Sequence, residues 1–280
     1  MGRQIKWTDE KILRMQTDGR GKGIGNNYDP WIHVSDLSSR GNSRRFFSQK
    51  TGRVHHLLSD VEWQLFLLLE FAPDVTDIRE QYPLSREETL TIAAELRIKH
   101  PVYPGTKVTT VMSCDFLVTR SFHNSPILEA YNCKCMGEAE NTRSLEKLEL
   151  QRRYFDEKGI AHHLIFDSLL PKTKIKNIEW IRAAQFTDHE TVHDKALLQD
   201  HCKRIAYELA KHIKSCSLAE YCENYETRTG AEPGIGLRAI RLLLFEGTVV
   251  TDMNQSNLAA APITIFQPVT KSFLHLVGEQ

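Results

Sequence analysis

Glu62, Asp115 and the pair Asn132-x-Lys134 are the residues whose types and contexts suit chemistry. Asp115 interrupts an apolar run, Val111-Met-Ser-Cys-Asp-Phe-Leu-Val118, with a single carboxylate. Lys134 comes near the end of a second strand-like run, Ile127 to Cys135, two residues after Asn132 and its side-chain carbonyl oxygen. A carboxylate on one buried strand and an x-Lys on the next is what a magnesium-dependent phosphodiesterase needs. Oxygens hold the hard cation, and the ammonium orients and activates the attacking water while countering charge on the phosphate. Each residue also has a structural reading on its own. An Asp in an apolar strand serves as a hydrogen-bonded support, and a strand-end Lys commonly snorkels. Glu62 has the strongest such reading, because Ser59-Asp-Val-Glu62 is a capping box in which the glutamate reaches back to the cap's backbone N–H. The ordered set, more than any member, points to chemistry.

The elements that must position these residues follow from periodicity and punctuation. Residues 8–17 read as a short helix leading into Gly19-Arg-Gly-Lys-Gly-Ile-Gly25, expected to be a mobile basic loop. Asn42 to Leu58 reads as a hairpin turning near Lys50-Thr51-Gly52, and a helix follows with Val61, Leu65, Phe66, Leu68 and Leu69 on its apolar face. Ser85-Arg-Glu-Glu88 opens another helix. Strands are expected over 75–82, 109–118 and 127–134, then a helix over 143–158 stopped by Gly159, then a strand over 162–167. His162 and His163 alternate across that strand, so they do not ligate one metal together. This order predicts an α/β layer with a mixed central sheet in residues 1–168.

After Pro171 the pattern becomes helical: 172–185, 190–214, 217–228 and 233–246, then short strands over 247–252 and 263–269. Helix, turn, helix and a strand pair outline a winged-helix-like, mainly α domain over 169–280. Its second helix, Gly234 to Phe245, carries only Arg238 and Arg241 as cations, too few for a groove-reading helix. Protein contact or core packing suits it better.

Composition removes several classes. The 280 residues, 41% hydrophobic, allow two ordinary domains with their own cores. Formal net charge is zero, so no global field draws the chain to nucleic acid or membrane. The balance is uneven, since residues 1–50 hold ten Lys or Arg against five acids, a local +5. Within that basic arm Arg20, Lys22, Arg44, Arg45 and Lys50 are the candidates for a DNA backbone. No apolar stretch reaches membrane-spanning length, and residues 1–30 lack a signal-peptide core. The six cysteines form no disulfide framework, and Cys133-x-Cys135 lacks a zinc-type partner motif; reduced thiols of a cytoplasmic protein fit better.

Several strings also resemble one family. Gly19-Arg-Gly-Lys-Gly-Ile-Gly25 with Pro30-Trp31, Thr51-Gly-Arg-Val-His-His-Leu-Leu-Ser-Asp60, Asp77-Ile-Arg-Glu-Gln81 and Asn141-Thr-Arg-Ser-Leu-Glu-Lys-Leu-Glu-Leu150 are similar to TnsA, the endonuclease subunit of heteromeric cut-and-paste bacterial transposases. The resemblance covers about residues 18–168. It implies a restriction-endonuclease-like fold with two magnesium ions, and cleavage of the strand at the 5′ ends of the transposon. It implies as partners the transposon-end DNA, an integrase-type transposase that cuts the 3′ ends, and a regulatory AAA-type ATPase. It puts the catalytic roles on Glu62, Asp115 and Lys134, with Glu62 and Asp115 holding the metal. Where the family has Gln before the lysine and Pro after it, this chain has Asn132 and Cys135. Asn keeps the carbonyl but is a methylene shorter, so either the main-chain carbonyl of Cys133 ligates or the metal site is rearranged. Glu146 and Glu149 share a helix face and suit surface ion pairs beside Lys147, Arg152 and Arg153 better than a second metal. The alternatives are a free-standing restriction or junction-resolving nuclease, which would need a base-reading helix, and a non-catalytic adaptor between transposase and ATPase.

Overall fold

The computed structural model describes residues 7–36, 42–123, 125–138, 141–187, 189–211 and 215–269. The chain divides into two compact units, residues 1–170 and 171–280. Among the described residues no helix is long and apolar enough to cross a membrane.

The first unit opens with α1 (Asp9–Thr17), capped by the Thr8 side chain on the Lys11 N–H. A hairpin follows, β1 (Arg44–Ser48) antiparallel to β2 (Arg53–Leu57). Helix α2 (Asp60–Phe71) starts where Ser59 accepts the Glu62 N–H, and it is buried almost all round, as its apolar sequence requires. Next come β3 (Val75–Pro83), α3 (Arg86–Glu95), β4 (Ser113–Phe122), β5 (Ser125–Lys134), α4 (Thr142–Asp156) and β6 (Ala161–Phe166). The four strands make one sheet in the order β3-β4-β5-β6. The first two pairings are antiparallel; β5 and β6 are parallel, with α4 as the crossover that a parallel pair demands. This is the mixed α/β layer expected from the element order.

Helices α3 and α4 cover the sheet through Leu84, Ile92, Leu117, Ala130, Leu150 and Phe155, all nearly inaccessible. Helix α2 lies against β2, β3 and β5. A smaller cluster ties α1 to the loop before β4 through Ile12, Met15, Trp31, Tyr103 and Val111.

In the first unit two expectations differ from what is observed. Strand β4 begins four residues later than the 109–118 reading and runs on through polar Thr119, Arg120 and Ser121. Val111 and Met112 are buried as core side chains ahead of the ladder, so hydrophobicity there marks packing and not strand. The glycine segment is also built in and not loose. Gly21 sits at φ +74° so close to Pro83 that a Cβ would stand 2.2 Å from its Cγ, and Gly23 at φ +99° approaches the Asn27 carbonyl equally closely.

The second unit contains α5 (Lys172–Arg182), α6 (Val192–Leu209), α7 (Leu218–Thr229), α8 (Ile235–Phe245) and the two-residue pair β7 (Val249–Val250) and β8 (Gln267–Pro268). Thr191 and Ser217 cap α6 and α7 with full capping boxes, and Gly230 ends α7 in the left-handed conformation. Helix α8 is the centre of this unit and contacts α5, α6 and α7. Its Ala239, Ile240, Leu242, Leu243 and Leu244 are buried, so most of its apolar stripe is spent inside the unit.

Candidate active site

Strands β4 and β5 part company where the chemistry-bearing residues lie. Their ladder runs from Phe122↔Ser125 to Phe116↔Tyr131 and stops there, although β4 extends back to Ser113 and β5 on to Lys134. Beyond that point Ser113 and Cys114 pair only with β3, and Asn132, Cys133 and Lys134 only with β6. Two strands held from outside and released from each other open a wedge in the sheet. Asp115 fills its mouth, and its Oδ2 accepts the Cys133 N–H at 2.6 Å, a donor the broken ladder leaves over.

Glu62 approaches from α2. Its Oε2 accepts the Leu58 N–H at 2.9 Å and the Gln81 side-chain N–H at 3.3 Å, while Oε1 accepts the Ser59 hydroxyl at 3.0 Å. The capping interaction is therefore real but displaced: the carboxylate reaches the N–H one residue ahead of the cap. Burial, and next the charge of Asp115, hold the Glu62 carboxyl well above the usual carboxylate range. The Cys133 thiol reports the same convergence. Burial raises it first, then Asp115 and Glu62, while Lys134 lowers it. The charges of Asp115, Glu62 and Lys134 thus all bear on this buried thiol of β5.

Asp115, Asn132 and Lys134 line an open cleft of about 380 Å³ together with Ser113, Ser144, Lys147 and Gln151. The Asn132 side chain is not idle. Its Oδ1 lies 2.8 Å from His162 Nε2, and burial keeps His162 down to about 4, so the imidazole is neutral and donates there. Among the described residues no three His, Cys, Asp or Glu side chains form a metal-binding group. A cation at this site would rest on Glu62 and Asp115, completed by amide, main-chain or water oxygens, which is donor chemistry that suits a hard ion. Glu146 and Glu149 are ion-paired with Arg143 and Arg152 on the surface of α4.

The five basic candidates separate into two kinds. Lys22 and Arg45 are exposed. Arg20 serves the fold, with one guanidinium nitrogen on the Trp31 carbonyl at 3.2 Å and on Asp36 at 2.7 Å. Lys50 is half-buried and donates to the Leu69 and Ala72 carbonyls at the end of α2; burial lowers it to about 8. Arg44 is half-exposed, paired with Asp60 at 2.8 Å and set over the Trp63 ring. Gln81, Ser113 and Gln151 were not singled out from sequence. Only Gln81 had a signal, as the last residue of Asp77-Ile-Arg-Glu-Gln81.

Residues 72–167 match the family described as TnsA-like endonuclease N terminal, and residues 170–253 match TnsA endonuclease C terminal. The chain is 36% identical over 275 residues to the Escherichia coli transposon Tn7 transposition protein TnsA, covering 97% of each. The chain belongs to the TnsA family.

Glu62→Gln separates the capping role of that residue from the catalytic role expected of it. Glu62 already favours its neutral form, and the amide is nearly isosteric with it. Without divalent cation, the variant should therefore melt within about 1 kcal/mol of the parent. DNA cleavage should fall to background. A large loss of melting temperature with cleavage intact would return Glu62 to a purely capping role.

Proposed function

We infer that this protein is the DNA endonuclease subunit of a heteromeric transposase, cutting the strand at the 5′ ends of the element with a magnesium-type cofactor. The observation that carries the reading is that Asp115, held by the Cys133 N–H, shares one cleft with Asn132 and Lys134 where β4 and β5 separate, in a chain of the TnsA family. Glu62 and Asp115, with the Cys133 carbonyl or the Asn132 amide, would hold the divalent cations. When bound, the metal supplies Lewis-acid stabilisation of charge on the scissile phosphate. Asp115 is kept in place by the Cys133 N–H, and Glu62 by its three donors. Lys134, at the end of β5, orients the attacking water and offsets the charge gained by the phosphate. In-line displacement leaves a 5′-phosphate and a 3′-hydroxyl. No side chain need form a covalent link to DNA.

DNA recognition is assigned to the partners. Supporting this, both cations of α8 are consumed inside the second unit. Arg238 pairs with Glu190 at 2.7 Å, and Arg241 donates to the Trp180 carbonyl at 2.8 Å. Residues 169–280 would serve as a protein-contact domain, with the regulatory AAA-type ATPase as the leading partner and the integrase-type transposase as the other. Expressed alone, residues 169–280 should bind duplex DNA weakly and with a shallow salt dependence, and should retain the ATPase in a pull-down. Tight binding that falls steeply with salt, without ATPase capture, would reverse the assignment.

The whole reading is tested by reconstituting the chain with the transposase, the ATPase and a transposon-end duplex labelled on each strand in turn. Cutting of the 5′ strand should require this chain, its partners and a divalent ion. Robust sequence-specific cutting by the purified chain with magnesium alone would identify a free-standing nuclease.

A further inference from the structure

Three non-glycine residues among those described have positive φ: Gln81 at 47°, Arg97 at 56° and His123 at 46°. Arg97 and His123 are exposed turn residues, while Gln81 is buried inside a strand, where a left-handed backbone is costly for an L side chain. The pairings on either side place it. Glu80 pairs with Phe116 and Tyr82 with Cys114, so Gln81 lies opposite Asp115, and these two residues make no ladder pair with each other. The turned-out Gln81 carbonyl accepts the Trp31 N–H at 3.2 Å. Its amide spans from Glu62 to Ser113: Nε2 donates to Glu62 Oε2 at 3.3 Å, and Oε1 accepts the Ser113 hydroxyl at 3.3 Å. Ser113 is itself fixed, its carbonyl accepting Gln151 Nε2 at 2.7 Å.

A carboxylate turns easily about its last torsion, which is broad and two-fold. Glu62 has about four lone-pair positions and meets three donors, two on Oε2 and one on Oε1, which leaves its open position on Oε1. The ionised carboxylate, the form that holds a cation, only accepts, so a hydroxyl donated to the other end of the amide keeps the NH2 end facing Glu62. We propose that Gln81 is a positioning residue of the cation site. Its left-handed backbone and Ser113-oriented amide fix the roll of the Glu62 carboxylate, which with Asp115 would hold the cation. This rests on the nuclease reading above and adds to it a residue that touches neither DNA nor ion. Outer partners that orient ligating carboxylates typically change metal affinity 10–100-fold.

Asn tolerates a left-handed backbone but is one methylene too short to reach both Glu62 and Ser113. Gln81→Asn in the full chain should therefore melt close to the parent without metal, yet bind Mn2+ roughly 10–100-fold more weakly by titration calorimetry. In the reconstituted complex kcat for the 5′ strand should drop while KM for the transposon end stays. Ser113→Ala leaves the backbone untouched, frees the amide to flip, and should shift Mn2+ affinity in the same direction by a smaller factor. A purely structural Gln81 would instead lower the melt and leave Mn2+ affinity unchanged. Gln81→Asn binding Mn2+ within twofold of the parent overturns the assignment while leaving the nuclease reading standing. Should Gln81→Asn lose its cooperative melt, an unchanged Mn2+ affinity in Ser113→Ala overturns it equally. If the parent takes up no Mn2+, and Asp115→Ala looks the same, both readings fall together.

Discussion

Asp115→Ala and Lys134→Ala should each abolish 5′-strand cleavage, by on the order of 10²–10³-fold or more, while leaving a folded protein. The size follows from what each group faces. Removing one preorganised electrostatic partner of a transition state costs about that much in kcat, and a lost metal ligand removes the Lewis acid as well. The fold should survive because neither side chain belongs to the apolar clusters that bind the helices to the sheet. Asp115→Ala does strand the Cys133 N–H, whose 2.6 Å acceptor is lost, so a penalty of about 1–3 kcal/mol accompanies it. Asp115→Asn removes that ambiguity: the amide oxygen still accepts the N–H, and only the charge is gone. Cleavage of the two strands should be assayed separately in the reconstituted complex, because the proposed function assigns the 3′ cut to another subunit. Asp115→Asn or Lys134→Ala cutting the 5′ strand at near-parent rate would remove that residue from the mechanism.

The candidate site was legible because its members are chemically unlike their neighbours. A carboxylate in an apolar strand and an amide-x-Lys near the end of another announce themselves, and the resemblance put them in order. The wedge that unites them was not legible. It depends on where the β4–β5 ladder stops, and nothing in the residue types of 113–116 or 131–134 marks Phe116↔Tyr131 as the last pair. The same limit explains the basic arm. Counting cations cannot show which of them are consumed by partners distant in sequence. Arg20 meets Asp36, and Lys50 meets carbonyls about twenty residues on. Gln81 stayed hidden for a related reason, since a left-handed residue in the middle of a strand contradicts the local pattern. Local rules fail most often where a site overrides them.

Glu80→Ala should be among the most destabilising single substitutions in the first unit, at about 3–5 kcal/mol, because it leaves a buried cation without its partner. Glu80 is fully inaccessible, and so is His55; Arg53 is 7% exposed. Arg53 grips the Glu80 carboxylate with two nitrogens, at 2.9 and 2.6 Å. His55 Nδ1 sits 2.7 Å from it, and the His56 N–H donates at 2.9 Å. This network ties the β1–β2 hairpin to β3, which accounts physically for the strings Thr51 to Asp60 and Asp77 to Gln81. Thr51 completes a Thr51–His55–Glu80 chain with its hydroxyl 2.7 Å from His55 Nε2. That order imitates a nucleophile relay, but no substrate reaches an imidazole with no exposed surface, so its role is cohesion. Burial alone would raise Glu80. His55 and Arg53 outweigh it and bring the carboxyl down to about 2 from an ordinary 4.5. The sign follows. A depressed folded value gives stability that is present above the unfolded value and is lost as pH falls from about 4.5 toward 2. Chemical unfolding at neutral pH should show the full loss in Glu80→Ala, and repeated down to pH 3 it should show a shallower acid slope than the parent. A variant within about 1 kcal/mol of the parent at pH 7, with the same acid slope, would mean that the hairpin is held by its apolar contacts and not by this buried charge.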